Sequence, residues 1–462
     1  MSFDELRRRE YGRLDDEGHA YLDYTGSGLY GASQLRTQWT RLSSGLFGNP
    51  HSENPTSAAS TSACERARRR ILEFFHADPE EYDVCFTANA SGALKLIGES
   101  YPFEPGVRLV MTADNHNSVN GIGRYAEAAG ATVEYVPLGP DLRIASLDPC
   151  LAPVAEGRPA LFAFPAQSNF SGVKHPLEWV DLARSRGYDV VLDSAAFVAT
   201  NPLRLDRVRP DFACVSFYKM FGFPTGVGAL IARRAVVGRL RRPWFAGGTV
   251  EFVSTQHRMH QLKHGHEAFE DGTVNFLDIA AIPDGLDLLE SVGMGEVQAH
   301  VQRVTEVLLR GLTLLRHGNG RPLVELYGPT DTAERGGTVA FNVRDREGRV
   351  VRFSHVESAA AEARVSVRGG CFCNPGAAEA AFGFPAEGSR NCLQNLSAGF
   401  SIERFADCLP GVPVGAVRAS VGIASNEPDV ARLLEVLAGF RDTVAEDEPT
   451  VATASPMFER GA

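Results

Sequence analysis

The sequence predicts an α/β fold with a mostly parallel sheet, followed by a smaller α+β unit. Three observations lead there. Strand-like apolar runs alternate with helical patterns through the middle of the chain. A long helical stretch then gives way to a second set of strands and a closing helix. The 462 residues, 44% hydrophobic and 22% charged, have an ordinary globular composition and are enough for two or three domains.

The first strand is expected at 84–86, leading through small residues to a helix at 93–99. A second strand at 109–111 precedes a helix near 122–129, and a third at 160–164 precedes one at 179–186. The fourth and fifth strands are expected at 188–192 and 212–216. Strands alternating with helices favour a parallel sheet, and ligands of such sheets bind at the carboxyl ends of the strands. Residues 279–317 read as helix with a break near Gly293, a natural link between two domains. Strands at 323–326 and 338–343 and a helix at 428–444 follow. The division expected is an amino-terminal segment 1–45 packed on the smaller domain, a large domain 46–290, a small domain 291–445 and a disordered polar tail 446–462.

Composition narrows the function classes. The net charge of −11 and pI near 5.6 give no broad basic surface, so neither nucleic acid nor an anionic membrane is an expected partner. The basic run Arg68, Arg69, Arg70 reads as a solvated helix face. The first residues are acidic and contain no apolar signal region, and no run approaches the ~18 apolar residues of a membrane span. A cytoplasmic location and reduced thiols are therefore expected for the eight cysteines. Cys64, Cys85, Cys150, Cys214, Cys392 and Cys408 are scattered, and most read as small buried hydrophobes.

Four features point to one cofactor. Lys219 follows a strand and precedes Gly222; a partly desolvated lysine there can lose its proton and form an imine, although a surface lysine at a strand end is the plainer alternative. Asp193 ends an apolar strand, where its carboxylate could keep a pyridine nitrogen protonated or merely cap a helix. The small-residue turn at 86–92, with Ser91, could cradle a phosphate on free backbone N–H groups, or be an ordinary capped turn. Cys371 and Cys373 form a C-x-C in a Gly- and Pro-containing stretch, read as a mobile loop whose thiol could attack a bound sulfur. A lone C-x-C without a second pair is a poor zinc signal, so no metal is expected. Together the features suggest pyridoxal 5′-phosphate.

With the segments 21–26, 48–52, 114–118, 165–172, 216–228, 269–273 and 370–374, the chain resembles the class V, fold type I pyridoxal phosphate enzymes. Within them it is most similar to the amino-terminal, aminotransferase-like region of molybdenum cofactor sulfurases, relatives of cysteine desulfurases. The resemblance runs over residues 20–440. It implies a seven-stranded sheet and a set of roles. Lys219 would form the Schiff base, Asp193 would face the ring nitrogen, His116 would stack on the ring and Asn169 would bond the ring hydroxyl. Ala90, Ser91 and Ser216 would hold the phosphate, and Thr273 would reach the phosphate of a neighbouring subunit, implying a homodimer. Arg418 would clamp the substrate carboxylate with help from Arg368, and Cys373 would carry the persulfide, with Cys371 the other thiol that could do so.

The implied activity is removal of sulfur from L-cysteine to give alanine, with a protein or small molecule as final sulfur acceptor. Three departures bear on it. The sulfurases carry a further domain that handles the molybdenum cofactor, and the sequence stops before one, so sulfuration of that cofactor is not expected of this chain alone. Ala378 stands where the sulfurase pattern has another cysteine, and Ala196 where many class V enzymes have glutamine, leaving the substrate open. A C–S β-lyase, aminotransferase or epimerase would share Lys219, Asp193 and Arg418 without needing Cys373. A non-catalytic scaffold or sulfur carrier is the reading from another class.

Overall fold

The computed structural model describes residues 2–396 and 401–444; the tail expected to be disordered, 446–462, lies outside them. The central sheet has seven strands: β1 (Tyr82–Thr87), β2 (Arg108–Thr112), β3 (Thr132–Val136), β4 (Ala160–Pro165), β5 (Asp189–Asp193), β6 (Phe212–Ser216) and β7 (Gly228–Arg233). Their order is β1-β7-β6-β5-β4-β2-β3. The pairs β2–β3, β2–β4, β4–β5 and β5–β6 are parallel, whereas β7 runs antiparallel to both β1 and β6. β4 and β6 are buried at every residue, which explains why they read as unbroken apolar runs. Each buried Phe of these strands, such as Phe162, Phe164 and Phe212, contributes about 2–3 kcal/mol of burial.

Two strands were not expected from the local sequence pattern. β3 is an edge strand with half-exposed Val133, Glu134 and exposed Tyr135, so it carries little apolar signal. β7 is apolar but short, and a short apolar run does not distinguish strand from buried helix. Because β7 reverses direction twice over, β1 runs the same way as β6. The carboxyl ends of β1, β2, β4, β5 and β6 and the start of β7 therefore share one edge.

A second sheet has the order β8-β9-β11-β10, all antiparallel, from β8 (Val324–Tyr327), β9 (Thr338–Val343), β10 (Arg368–Gly370) and β11 (Ala416–Ser420). The helical stretch before it is two helices, Ile282–Val292 and Met294–Leu314, broken at Gly293 with φ 89°. The closing helix is Glu427–Ala438, capped by Asn426 and Asp429; it stops at Gly439, short of the expected 444.

The amino-terminal residues reach this second sheet. Ala20–Tyr21 pairs in parallel with Val365–Ser366, Asp23 bridges to Ser420, and Arg7 forms a buried ion pair with Asp429 at 2.6 Å. The helix Ala32–Ser44 turns to other partners: Gln34 donates to Phe223 O, Gln38 to Leu277 O and Arg41 to Asp284.

The expectation that all eight cysteines are thiols is corrected. Cys392 and Cys408 form a disulfide. The helices Ala386–Asn395 and Ile402–Cys408 pack together through Leu396, Phe405 and Leu409, which brings the two Cα atoms to 6.0 Å, within bridging range. Among the described residues, no helix is long and apolar enough to cross a membrane.

Candidate functional site

The shared edge gathers residues from five strands. After β6, the short helix Phe217–Phe221 carries Lys219 and ends at Gly222, whose φ of 77° and close approach to Leu29 and Tyr30 leave no room for a side chain. Gly28 N–H donates to Tyr218 O, so the amino-terminal segment touches the lysine's own turn. β5 delivers Asp193, a buried carboxylate whose Oδ1 accepts from Ala195 N–H at 3.0 Å. After β1, Asn89 caps the helix Ala90–Ser100, and Ala90 N–H donates to the buried hydroxyl of Ser216 at 2.8 Å. After β2, His116 accepts the Ser118 N–H on Nδ1, which places its own proton on Nε2. Ser118 Oγ lies 2.5 Å from Ser91 Oγ, linking the histidine to the helix start.

Electrostatics make Lys219 unusual. Burial pushes its pKa below the ordinary lysine value; Asp193 opposes the drop and Arg418 adds to it. Burial likewise lowers the pKa of His116, with Asp193 opposing and Lys219 and Arg418 reinforcing. The shift favours the neutral amine, the form that attacks a carbonyl, relative to an ordinary lysine. The cleft beside it is lined by Tyr24, Thr25, Gln167, Ala196, Thr200 and Thr338.

The facing wall belongs to the second sheet. Arg418 on β11 and Arg368 on β10 sit directly opposite each other in register. Arg418 is buried; its Nη1 donates to Asn169 O at 3.0 Å and its guanidinium lies 4.8 Å from the Phe372 ring. Asp23 joins the two arginines. It accepts from Arg418 Nη2 at 3.1 Å, from Arg368 Nη2 at 2.6 Å and from Arg368 Nε at 3.1 Å. Burial lowers the pKa of Arg418 against the pull of Asp23, whereas the hydrogen bond that Arg368 donates to Asp23 raises that of Arg368. Breaking a buried ion pair by removing one partner typically costs ~3–5 kcal/mol.

The stretch expected to be a mobile loop is fastened instead. Asn374, fully buried, donates to Asp114 O at 2.7 Å and to Asn169 Oδ1 at 2.9 Å, and its own Oδ1 caps the helix Pro375–Phe382. Asn169 in turn donates to Phe372 O at 2.7 Å, and Cys373 O accepts from Asn117 N–H at 2.7 Å. Phe372 packs into an apolar cluster with Phe170 and Phe382. These contacts hold Phe372 and Cys373 in left-handed backbone, both at φ 55°. Tertiary hydrogen bonds override the local Gly and Pro content.

The two thiols part ways here. Cys371 is half-buried, donates to Val414 O at 3.0 Å, and burial pushes its pKa up to about 11. Cys373 is exposed, and its charge when ionised is felt at both Lys219 and Arg418. Asp193, His116, Arg418 and Cys373 are thus linked electrostatically to Lys219. Arg368 joins this group through Asp23, and Asn169 donates to Phe372 O next to Cys373. Thr273 is set apart: it is exposed, accepts from Asn49 Nδ2 at 3.2 Å, and lines a depression with Thr87, Ala88 and Gly92.

A family model described as aminotransferase class V matches residues 20–433. The chain belongs to the aminotransferase class V family. The recognition and the fold expected from the motifs both hold. A class V relative, the molybdenum cofactor sulfurase of Bos taurus, is 36% identical over 469 residues, covering 96% of this chain and 52% of that protein. The chain therefore spans about half the length of the curated relatives it matches. Among solved structures, a cysteine desulfurase from Thermococcus onnurineus superposes with a TM-score of 0.76 at 22% identity, covering 94% of this chain and 97% of that one. A cystine C–S lyase in complex with cysteine persulfide superposes with a TM-score of 0.70 at 19% identity, covering 94% and 100%.

The residues present fit the cofactor of a class V enzyme. A desolvated amine is paired electrostatically with a buried carboxylate, and a serine hydroxyl meets the backbone at the start of an eleven-residue helix. Sequence reasoning missed Asp23 and Asn374. Both lie inside motif segments, but their roles depend on partners hundreds of residues away. The nearest available signal was an acid next to an apolar pair, Tyr21 and Leu22, in a chain with two arginines awaiting a counter-charge.

Proposed function

We propose that this protein is a pyridoxal phosphate-dependent, cysteine desulfurase-like enzyme that forms a persulfide on Cys373. When bound, the cofactor supplies an electron sink that stabilises negative charge at the substrate Cα. Lys219 holds the cofactor through its amine and afterwards moves the Cα proton, a task its lowered pKa suits. Asp193 keeps the ring nitrogen protonated, His116 covers the ring, and Asn169 bonds its hydroxyl. Ala90, Ser91 and Ser216 take the phosphate. Arg418 clamps the substrate carboxylate.

Cys373 then attacks the substrate sulfur. The new S–S bond replaces the C–S bond, the substrate carbon takes a proton, and L-cysteine plus thiol becomes alanine plus persulfide. The observation that carries the reading is the contrast between an exposed Cys373 at the cleft and a Cys371 bonded to Val414 O.

Homodimerisation, with Thr273 reaching the phosphate of the second copy, is part of the reading; exposed Trp244, Phe252 and Met259 are apolar side chains that a second copy would cover. A cytoplasmic location is part of the reading, as is a protein or small-molecule sulfur acceptor; neither a nucleic acid nor a membrane is a proposed partner. Incubating the protein with L-cysteine and measuring alanine, pyruvate and sulfide together tests the reaction. Alanine with a Cys373-bound sulfur is expected. Pyruvate would instead assign a C–S β-lyase, the second reading, favoured by the likeness in fold to the cystine C–S lyase.

A further inference from the structure

Three charged groups meet at the substrate wall of the cleft. Arg418 and Arg368 contribute two positive charges and Asp23 one negative, leaving a net of one positive charge. The arrangement is built rather than incidental. Asp23 is reached by donors from both arginines, and its side chain is only 11% exposed. Arg418, 2% exposed, has spent donors on Asn169 O and Asp23, yet its Nε has no partner among the described residues. A buried guanidinium with an unpaired N–H is costly unless something else comes to accept it. One further carboxylate would satisfy both the donor and the residual charge.

We propose that Asp23 is a specificity-determining positioning residue: by neutralising one of the two arginines it tunes the cleft to amino acids bearing a single carboxylate and against those with a second acidic group. The proposal rests on the reading of Arg418 as the carboxylate clamp. Its physical content is a charge count. Removing the charge of Asp23 raises the net to two, and a second acid on the ligand then finds a free cation in Arg368. Removing Arg368 instead lowers the net to zero. Removing both restores a net of one through Arg418 alone.

The test uses the cofactor-loaded protein, titrated with L-alanine and with L-aspartate, and reads binding from the change in cofactor absorbance without any turnover. Wild type is expected to favour alanine. Asp23→Asn should shift the ratio of affinities toward aspartate by about tenfold, the size expected of one unit charge several ångströms away in a partly screened site. Asp23→Asn combined with Arg368→Gln should return the preference to alanine, a rescue that lost packing alone would not produce. Should Asp23→Asn fail to fold, Arg368→Gln, which alters a half-exposed side chain, should weaken aspartate more than alanine. An unchanged ratio in Asp23→Asn, or a double variant that keeps the shifted ratio, overturns the proposal. Equal losses for both amino acids in either single variant also overturn it. If wild type binds neither amino acid, the clamp reading itself falls and the proposal falls with it.

Discussion

The two walls of the cleft are built in opposite ways. The sheet-edge wall takes each of its groups from the end of a strand or the residues just after it: Ala90 after β1, His116 after β2, Asn169 after β4, Asp193 at the end of β5 and Lys219 after β6. The facing wall is assembled from residues 23, 368, 372, 373 and 418, held together by bonds that span 345 and 395 positions. The first wall is positioned chiefly by strand geometry. The second stands only if the amino-terminal segment, the 371–374 turn and the small sheet all arrive together. Under the proposed function, the first wall would supply the cofactor chemistry and the second would select which reaction follows.

That contrast can be broken most severely at the first wall. Lys219→Ala should abolish the absorbance near ~420 nm expected of a lysine-bound pyridoxal cofactor, and activity should fall by at least ~10³-fold. A retained band would show another lysine to be the anchor. At the second wall the effect should be selective. Cys373→Ala should keep the band yet lose alanine formation by ~10²-fold or more, whereas Cys371→Ala should stay within about threefold of wild type. Equal losses in the two variants would erase the distinction drawn between the thiols.

A third substitution asks whether the turn must be held still. Asn374→Ala removes two donated hydrogen bonds and a helix cap from a buried position, and about 2–4 kcal/mol of stability should go with them. Chemical denaturation measures this. Alanine formation should fall further than cofactor binding, because Cys373 is displaced while Lys219 is not.

The smallest effect expected is a pH dependence on the second wall's flank. His300 is buried against Phe3, with Nε2 donating to Ser425 O and Nδ1 accepting from Arg303. Burial lowers its pKa to about 4, with Arg303 also lowering it. The unfolded chain therefore takes up this proton near pH 6.5 and the folded chain only near 4. Stability is full above pH 6.5 and declines as pH falls through that window, by up to about 1.4 kcal/mol per unit. Denaturation midpoints of His300→Gln should show a flatter slope there than wild type.

Legibility in the sequence followed the same divide. Lys219 and Asp193 sit where an apolar run ends, so pattern reading alone raised them as candidates. The resemblance then supplied roles that spacing could not, including those of His116 and Asn169. Asp23 was quoted within a motif but had no role, because only the register of Arg368 opposite Arg418 creates the need for it. The 371–374 turn was misread as mobile: its Gly and Pro content is local, while the bonds from Asn374 and Asn169 are not. The Cys392–Cys408 bridge escaped because the absence of an export signal argues for thiols, and only the packing of the two helices brings these two together.

The pairing of Ala20–Tyr21 with Val365–Ser366, and of Asp23 with Ser420, has a consequence for biosynthesis. Residues 20–23 must wait until residues 365–366 and 420 have been made before they find their partners. The seven-stranded layer can be completed once residue 233 has emerged. The substrate wall cannot close until residue 420 has followed, so the protein acquires its scaffold well before its selectivity.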